Sequence, residues 1–277
     1  MADQFVDLCQ NYSDFFKAQE RNSAKHARHY LSGLLSETVS KNMEWVQDRI
    51  ADSDYEGMQH FISSSCWNQR PLLDQLARDV DGLLGGDAHS ALIVDETCFS
   101  KKGQHCVGVQ RQYNGNLGKV DNCQCGVFAG LACHNRASLI DLQLYLPKEW
   151  IEDQMRCGKA KVPKISRVLY TKIDLAVSLV QRAINNGVRF AWVSADSFYG
   201  HSSEFRHKLE DQGLNYVCDV KKSLKVYFQG QEQSLELLAL AEFAHSSQRA
   251  TFGSGTKGKL SCQGTCLPVE LMVAKPP

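Results

Sequence analysis

Much that would narrow a function is missing from this chain of 277 residues. No run of about 18 apolar residues occurs, so no helix is expected to cross a membrane. The opening MADQFVDLCQNYSDFF has no basic stretch leading into an apolar one, so it is not expected to act as an export signal. Lys+Arg and Asp+Glu both number 31, leaving no excess of either sign. A nucleic-acid partner would have to be met by a local basic patch. No Ser-His-Asp order is visible, and no glycine-rich nucleotide loop. Gly253-Ser254-Gly255 has the Gly-x-Gly spacing, but no helix follows it. Internal repeats and low-complexity tracts are also lacking.

What is present is globular in character. Apolar residues make up 43% and charged residues 22%, enough for a sizeable core. The 11 cysteines are odd in number and scattered from Cys9 to Cys266. Without an export signal they are expected as reduced thiols. Two groups invite a metal reading: Cys123, Cys125, Cys133 and His134, and the pair Cys262 and Cys266. Zinc ligands usually come as C-x2-C or C-x4-C pairs in loops. Cys123 and Cys125 instead lie two apart in an alternating pattern, as small apolar fillers on one sheet face. No zinc is expected in either group.

Residues 1–80 read as helical. Tyr30, Leu31, Leu34 and Leu35 recur at helical spacing. Arg21, Lys25 and Arg28, with His29 beside them, are expected on one helix face, where they are candidates for contact with DNA phosphates. Met43, Trp45, Val46 and Ile50 mark a second block, and Pro71 opens a helix through Leu72, Leu73, Leu76, Ala77 and Val80. Gly82, Gly85 and Gly86 end it, which places a domain boundary near residue 85.

Beyond it the period shifts toward two. Ala91-Leu92-Ile93-Val94 is a short apolar run suited to a buried strand. Val107 to Tyr113 reads as a second strand, closed by the Asn114-Gly115 turn signal, and Cys123 to Cys133 as a third. Residues 148–167 are polar and lysine-rich and read as irregular. Leu175, Val177, Leu179, Val180 and Ile184 form a helix ended by Asn185-Asn186-Gly187. Phe190 to Ser194 is a fourth strand. A helix from Ser202/Ser203 runs to about Gln212, with Gly213 at its end, and Tyr216 to Val220 is a fifth strand. The order β-β-β-α-β-α-β predicts an α/β fold of RNase H-like type, a mixed sheet over residues 86–223. It follows a helical N-terminal domain (1–85, a candidate for DNA binding). A β-rich, turn-rich segment (224–277) comes after it.

Two carboxylates end apolar strands. Asp95 closes Leu92-Ile93-Val94, and Asp196 follows Trp192-Val193-Ser194-Ala195. Burying such a group is costly unless it is paired or binds metal. Each alone reads most simply as a cap or turn residue. Together they end two strands that the RNase H-like order makes neighbours. Converging carboxylates suit a hard divalent cation with oxygen ligands, and two such ions can serve phosphodiester chemistry without a nucleophilic side chain. Glu96 points to the opposite face and reads as structural. Asp121 is a remote candidate for a further ligand.

The segment Ile93-Val94-Asp95-Glu96-Thr97 through Phe99, Lys101, Lys102 and Gly103, then Val107 to Tyr113, resembles the first catalytic block of the DDE superfamily endonucleases of insertion sequences. Gly118-Lys119 and Asn122-Cys123-Gln124 extend the likeness. Ala195-Asp196-Ser197 with Tyr199-Gly200, then Phe205 and Leu209, resembles the second block. Gly255-Thr256-Lys257-Gly258 is similar to a motif of the β-rich insertion, and Tyr30-Leu31, Gly33-Leu34-Leu35, Lys41-Asn42 and Gln59-His60-Phe61 are similar to the helical leader. The resemblance implies a transposase that cleaves and joins double-stranded DNA at transposon ends and target. It implies a two-metal site holding Mg²⁺ or Mn²⁺ on Asp95 and Asp196, and a homodimer on paired ends. It further implies a cytoplasmic, nucleoid-associated location. Lys101, Lys102, Arg111 and Lys119 flank the first block and are candidates for phosphate contact. The family's third carboxylate, a Glu on a helix after the insertion, does not appear before Ala274-Lys275-Pro276-Pro277. Glu232, Glu236 and Glu242 precede its place. The resemblance thus implies a truncated copy, inactive on its own, with apolar sheet surface left exposed.

Overall fold

A computed structural model describes residues 2–18, 21–36, 42–65, 67–246, 248–255, 258–264, 267 and 269–271. The side chain of Arg21 lies outside the described part, as do Lys41, the side chains of Glu242 and Cys262, Thr256, Lys257, Cys266 and residues 272–277. The chain divides into two compact units, Met1–Val80 and Asp81–Pro277.

The first unit is built of α1 (Ala2–Asn11), α2 (Ala24–Leu35), α3 (Met43–Arg49), α4 (Tyr55–Ser63) and most of α5 (Gln69–Leu84), with a short strand pair, β1 (Lys17–Ala18) and β2 (Arg21–Asn22). Its core is aromatic. Phe16 packs edge-on against Phe61 and Trp67, with ring centroids 5.6 and 5.1 Å away, and Phe61 stacks on Trp67 at 5.9 Å. Gly33 lets α2 approach α3, because a Cβ there would collide with Val46. Arg21 does not share a helix face with Lys25 and Arg28. The side chain of Asn22 accepts from the Ala24 N–H at 3.0 Å, so the helix begins at Ala24 and leaves Arg21 in β2. Lys25 and Arg28 are exposed on α2, while His29 beside them is buried.

The second unit centres on a six-stranded mixed sheet: β3 (Ala91–Ser100), β4 (Gln110–Asn114), β5 (Lys119–Cys133), β6 (Arg136–Leu144), β7 (Trp192–Ala195) and β8 (Tyr216–Cys218). β3 lies antiparallel to β5 along ten residue pairs, and parallel to β7. β7 is parallel to β8. The other edge of β5 is shared: β4 pairs with its first residues and β6 with its last eight. The order across the sheet is therefore β6-β5-β3-β7-β8, with β4 extending one end.

β6 departs from the expected three-strand arrangement, in which β4 would have taken that place. A register shift opposite Ala129/Gly130 turns both Ile140 and Asp141 inward, which spoils the alternation that announces a strand. The Asp141 carboxylate is held there by Arg182 Nε at 2.8 Å. Residues 148–167 are also more regular than expected. They form α6 (Lys148–Glu152), α7 (Gln154–Lys159) and a 3-10 turn (Lys164–Ser166). Trp150 anchors them, fully buried, donating to the Val109 carbonyl at 2.9 Å and covered by the Arg156 guanidinium.

One sheet face is the core. It presents Leu92, Val94, Val127, Ala129, Leu131 and Val193, all fully buried. α8 (Lys172–Asn185) packs on it through Leu175, Leu179 and Val180, and α10 (Ser203–Glu210) packs against α8. Thr171 and Asp174 form a capping box that starts α8. The opposite face carries Ile93, Leu139, Leu142, Trp192 and Val217, all exposed. Residues beyond the sheet give β9 (Lys225–Phe228), β10 (Gln231–Ser234), α11 (Leu235–Ser246), a hairpin of β11 (Gln248–Gly255) and β12 (Gly258–Gly264), and β13 (Glu270–Leu271). Among the described residues no helix is long and apolar enough to cross a membrane.

Candidate metal centre

Two strands meet where the candidate carboxylates stand. In the parallel pair β3·β7, Val94 is the register partner of Ala195. Asp95 and Asp196 are the next residue in each segment, but only Asp196 lies past a strand end; Asp95 is within β3, not at its close as expected, because the pairing with β5 carries the strand on to Ser100. β3 continues along β5, where Asp95 faces Phe128. β7 ends, and Asp196 caps the short helix α9 (Ser197–Gly200).

Each carboxylate has one oxygen engaged by backbone. Asp95 Oδ1 accepts from the Glu96 N–H at 2.7 Å, and Asp196 Oδ1 accepts from the Phe198 N–H at 3.0 Å and the Tyr199 N–H at 3.4 Å. The second oxygen of each has no hydrogen bond among the described residues. The Asp95 carboxyl titrates above the usual range. Displacement of water by surrounding protein is the largest cause. Negative Asp196 and Glu96 add to it, while the Glu96 N–H and the Lys172 ammonium oppose it.

Beneath the pair, Glu96 turns to the core face, as the alternation of β3 requires. Its Oε1 meets Lys172 Nζ at 3.0 Å. The ammonium also lies 5.7 Å from the Phe198 ring and 5.9 Å from the Tyr145 ring. Tyr199 is fully buried, and burial pushes its phenol far up, with the charges of Glu96, Asp95 and Asp196 adding to the effect. Tyr199 Oη and Glu96 Oε2 are buried without a well-formed hydrogen bond among the described residues. Gly200 is required by closeness, since a Cβ there would collide with the Asp219 carbonyl. Buried Arg206 fixes the Gly200 carbonyl at 2.6 Å. In Asp-Ser-Phe-Tyr-Gly, therefore, the Asp caps, the Tyr fills and the Gly permits contact with the end of β8.

A family model described as DDE superfamily endonuclease matches residues 13–235. The chain belongs to this family. It is also 29% identical, over 225 residues, to the "Probable transposase for insertion sequence element IS701" of Microchaete diplosiphon. The match takes in 79% of the chain and 54% of that protein, so the chain spans about half the length of this curated relative. A solved structure, "Drosophila P element transposase strand transfer complex", aligns over 89% of the chain and 57% of its own at 9% identity and a TM-score of 0.24, a likeness too slight to bear on the fold.

The chain brings together only some of the residues singled out from sequence. Lys101 and Lys102 follow the end of β3, Arg111 lies across from Asn122 and Lys119 across from Asn114, with the Lys101 N–H bonded to the Asn122 carbonyl at 2.8 Å. Lys101 is six residues along from Asp95, roughly 20 Å in an extended strand. Asp121 is at the same far end, accepting from Ser100 Oγ at 2.5 Å, and does not reach the carboxylate pair. Glu232 and Glu236 pair with Lys225 and Lys222. Lys172 is the cation at the site, and sequence reasoning missed it. Its only local signal is the Thr171-Lys172-Ile173-Asp174 capping pattern, which locates a helix start rather than a partner for Glu96.

The cysteines are partly as expected. Cys123 and Cys125 are fully buried on one sheet face. Cys98 and Cys125 differ from the expectation of free thiols: they are register partners on β3 and β5, with Cα atoms 4.1 Å apart, and are joined as a disulfide. Cys123 Sγ lies 3.9 Å from Cys125 Sγ.

Proposed function

We propose that the chain is the part of an insertion-sequence DDE transposase that supplies the first two metal-binding carboxylates, Asp95 and Asp196. The observation that carries this reading is the parallel register of β3 and β7, which sets the two side by side, each with one oxygen fixed by backbone and the other open. The order β6-β5-β3-β7-β8, three antiparallel strands followed by two parallel ones, supports an RNase H-like core.

The donor set fits hard divalent cations such as Mg²⁺ or Mn²⁺: two carboxylate oxygens with no competing hydrogen bond. Bound there, such ions would supply charge neutralisation at a phosphodiester and a more acidic attacking oxygen. The chain's own contribution is placement. The α9 N–H groups orient Asp196, the Glu96 N–H orients Asp95, and the Glu96–Lys172 pair fixes the strand behind them. The partner in this reading is double-stranded DNA at element ends and target, approached by a homodimer in the cytoplasm on the nucleoid.

Among the described residues no third carboxylate joins the pair. The chain matches 54% of its transposase relative. These 277 residues are therefore proposed to contribute to cleavage as part of the whole transposase. The deciding experiment is Mg²⁺- or Mn²⁺-dependent nicking of a supercoiled plasmid carrying the element's ends. A chain extended to the relative's length should nick, and both Asp95→Ala and Asp196→Ala should abolish it. Nicking that survives either substitution would remove the carboxylate pair from the mechanism.

A further inference from the structure

At the other end of the sheet, away from Asp95 and Asp196, three side chains converge. Asp87 and His89 stand just before β3, and His134 in the turn between β5 and β6. Asp87 Oδ1 lies 3.0 Å from His89 Nδ1, and Asp87 Oδ2 lies 3.6 Å from His134 Nε2. The two imidazoles are 4.9 Å apart between centroids. One donor atom from each residue falls within 4.8 Å of the others. Among the described residues, no lysine or arginine pairs with Asp87.

The backbone holds each donor in place. Asp87 Oδ1 accepts from the His89 N–H at 2.7 Å, and the Asp87 carbonyl accepts from the buried Ser90 through its N–H at 3.0 Å and its Oγ at 2.6 Å. His134 occupies the left-handed region, φ 55°, in a turn closed by the Cys133·Arg136 pair. Two ligands about 2.05 Å from a tetrahedral ion sit roughly 3.3 Å apart. The observed separations, 3.0 Å from Asp87 Oδ1 to His89 Nδ1 and 3.6 Å from Asp87 Oδ2 to His134 Nε2, are each near that value, through different oxygens of the one carboxylate. Solvent is free to take the fourth position, since His89, Asp87 and His134 side chains are 72%, 44% and 59% exposed.

The geometry points to a second cation site on this chain, formed by Asp87, His89 and His134, that takes a late first-row divalent ion such as Zn²⁺. Imidazole nitrogens select such ions over Mg²⁺, which prefers an all-oxygen shell. The chemistry is distinct from that of the Asp95–Asp196 pair, and the ion would tie the segment entering β3 to the β5–β6 turn.

The test is calorimetric titration of the tag-free chain with Zn²⁺ and, separately, Mg²⁺, in an Asp95→Asn/Asp196→Asn background that removes the carboxylate pair. One equivalent of Zn²⁺ should bind. His89→Ala and His134→Asn should each weaken it by about tenfold or more. Asn tolerates the left-handed φ, so the turn survives the second change, and far-UV circular dichroism checks both folds. The Co²⁺-loaded chain should show tetrahedral absorption without thiolate charge-transfer bands. Zn²⁺ affinity unchanged in both variants, equal affinity for Mg²⁺, or thiolate bands that persist in both would overturn the site.

Discussion

Lys172 Nζ and Glu96 Oε1 meet at 3.0 Å on the core side of β3, one residue from Asp95. The two are 18% and 22% exposed, so the pair is mostly shielded from solvent. Removing only the cation leaves a carboxylate with no partner in a poorly hydrated place. Lys172→Met should therefore destabilise the second unit by about 1–2 kcal/mol, discounted for the residual exposure. Glu96→Gln added to it should recover part of the loss. A urea-melt double-mutant cycle checks this, and strictly additive effects would show that the pair is not coupled.

The raised titration of Asp95 sets a sign for pH. Its ordinary value is 3.8 and the folded value is higher. The folded state then holds the proton more tightly than the unfolded one. Stability falls as pH rises from the ordinary value through the folded one, and the cost stays at neutral pH. Asp95→Asn should raise Tm of the metal-free protein at pH 7, with the gain vanishing at pH values below the ordinary aspartate range. A Tm increment independent of pH would mean that the charge is not the cause.

Gly200 tests the packing behind Asp196. Any Cβ there meets the Asp219 carbonyl, backbone that cannot rotate away. Gly200→Ala should cost about 1–3 kcal/mol, the usual range for overpacking, whereas Gly82→Ala, with nothing near its position, should be neutral or stabilising in a helix. Equal Tm values for the two variants would contradict the close approach.

The site was legible from sequence where local pattern and placement coincide. Asp95 and Asp196 end apolar runs, and a parallel register does the rest. Legibility failed where distant partners decide. The Glu96–Lys172 pair joins positions 76 apart in sequence, and nothing local to either names the other. β6 escaped notice because its bulge buries Ile140 and Asp141 together, and Asp141 is tolerable only because Arg182 from α8 reaches it. α6 and α7 are too short to show a period and owe their form to Trp150. The spacing of Arg21, Lys25 and Arg28 suggests one helix face, but charge spacing alone cannot reveal that the helix begins only at Ala24.

The Cys98–Cys125 link is open to direct check. Protein purified without reductant should yield this peptide pair on non-reducing digestion. Reduction should cost about 3 kcal/mol for a loop of this size, closing 27 residues, and Cys98→Ser should abolish the response. Cys123 found bonded in place of Cys98 would show that exchange among the three sulfurs, not β3·β5 register, selects the bond.

The basic residues pose the last question, whether they are phosphate contacts or ordinary solvated charge. Lys101, Lys102 and Arg111 lie at the far end of β3 and its neighbours, roughly 20 Å from Asp95 along the strand, and Lys119, nine residues along β5 from the Asp95 partner Phe128, roughly 30 Å. Duplex DNA rises about 3.4 Å per base pair, so a helix laid from the carboxylate pair toward them would meet them about six to nine base pairs away. They would then position DNA rather than act at the cut phosphate. Replacing all four by Ala should lower affinity for any duplex and flatten the dependence of log K on log salt by about 3–4 units, near 0.9 per lost contact. Lys25→Ala with Arg28→Ala, on the exposed face of α2, should flatten it by about 2 by the same arithmetic. Filter binding from low to moderate salt measures both. A slope unchanged by the fourfold variant would assign those residues to solvent and leave α2 as the surface that meets the phosphates.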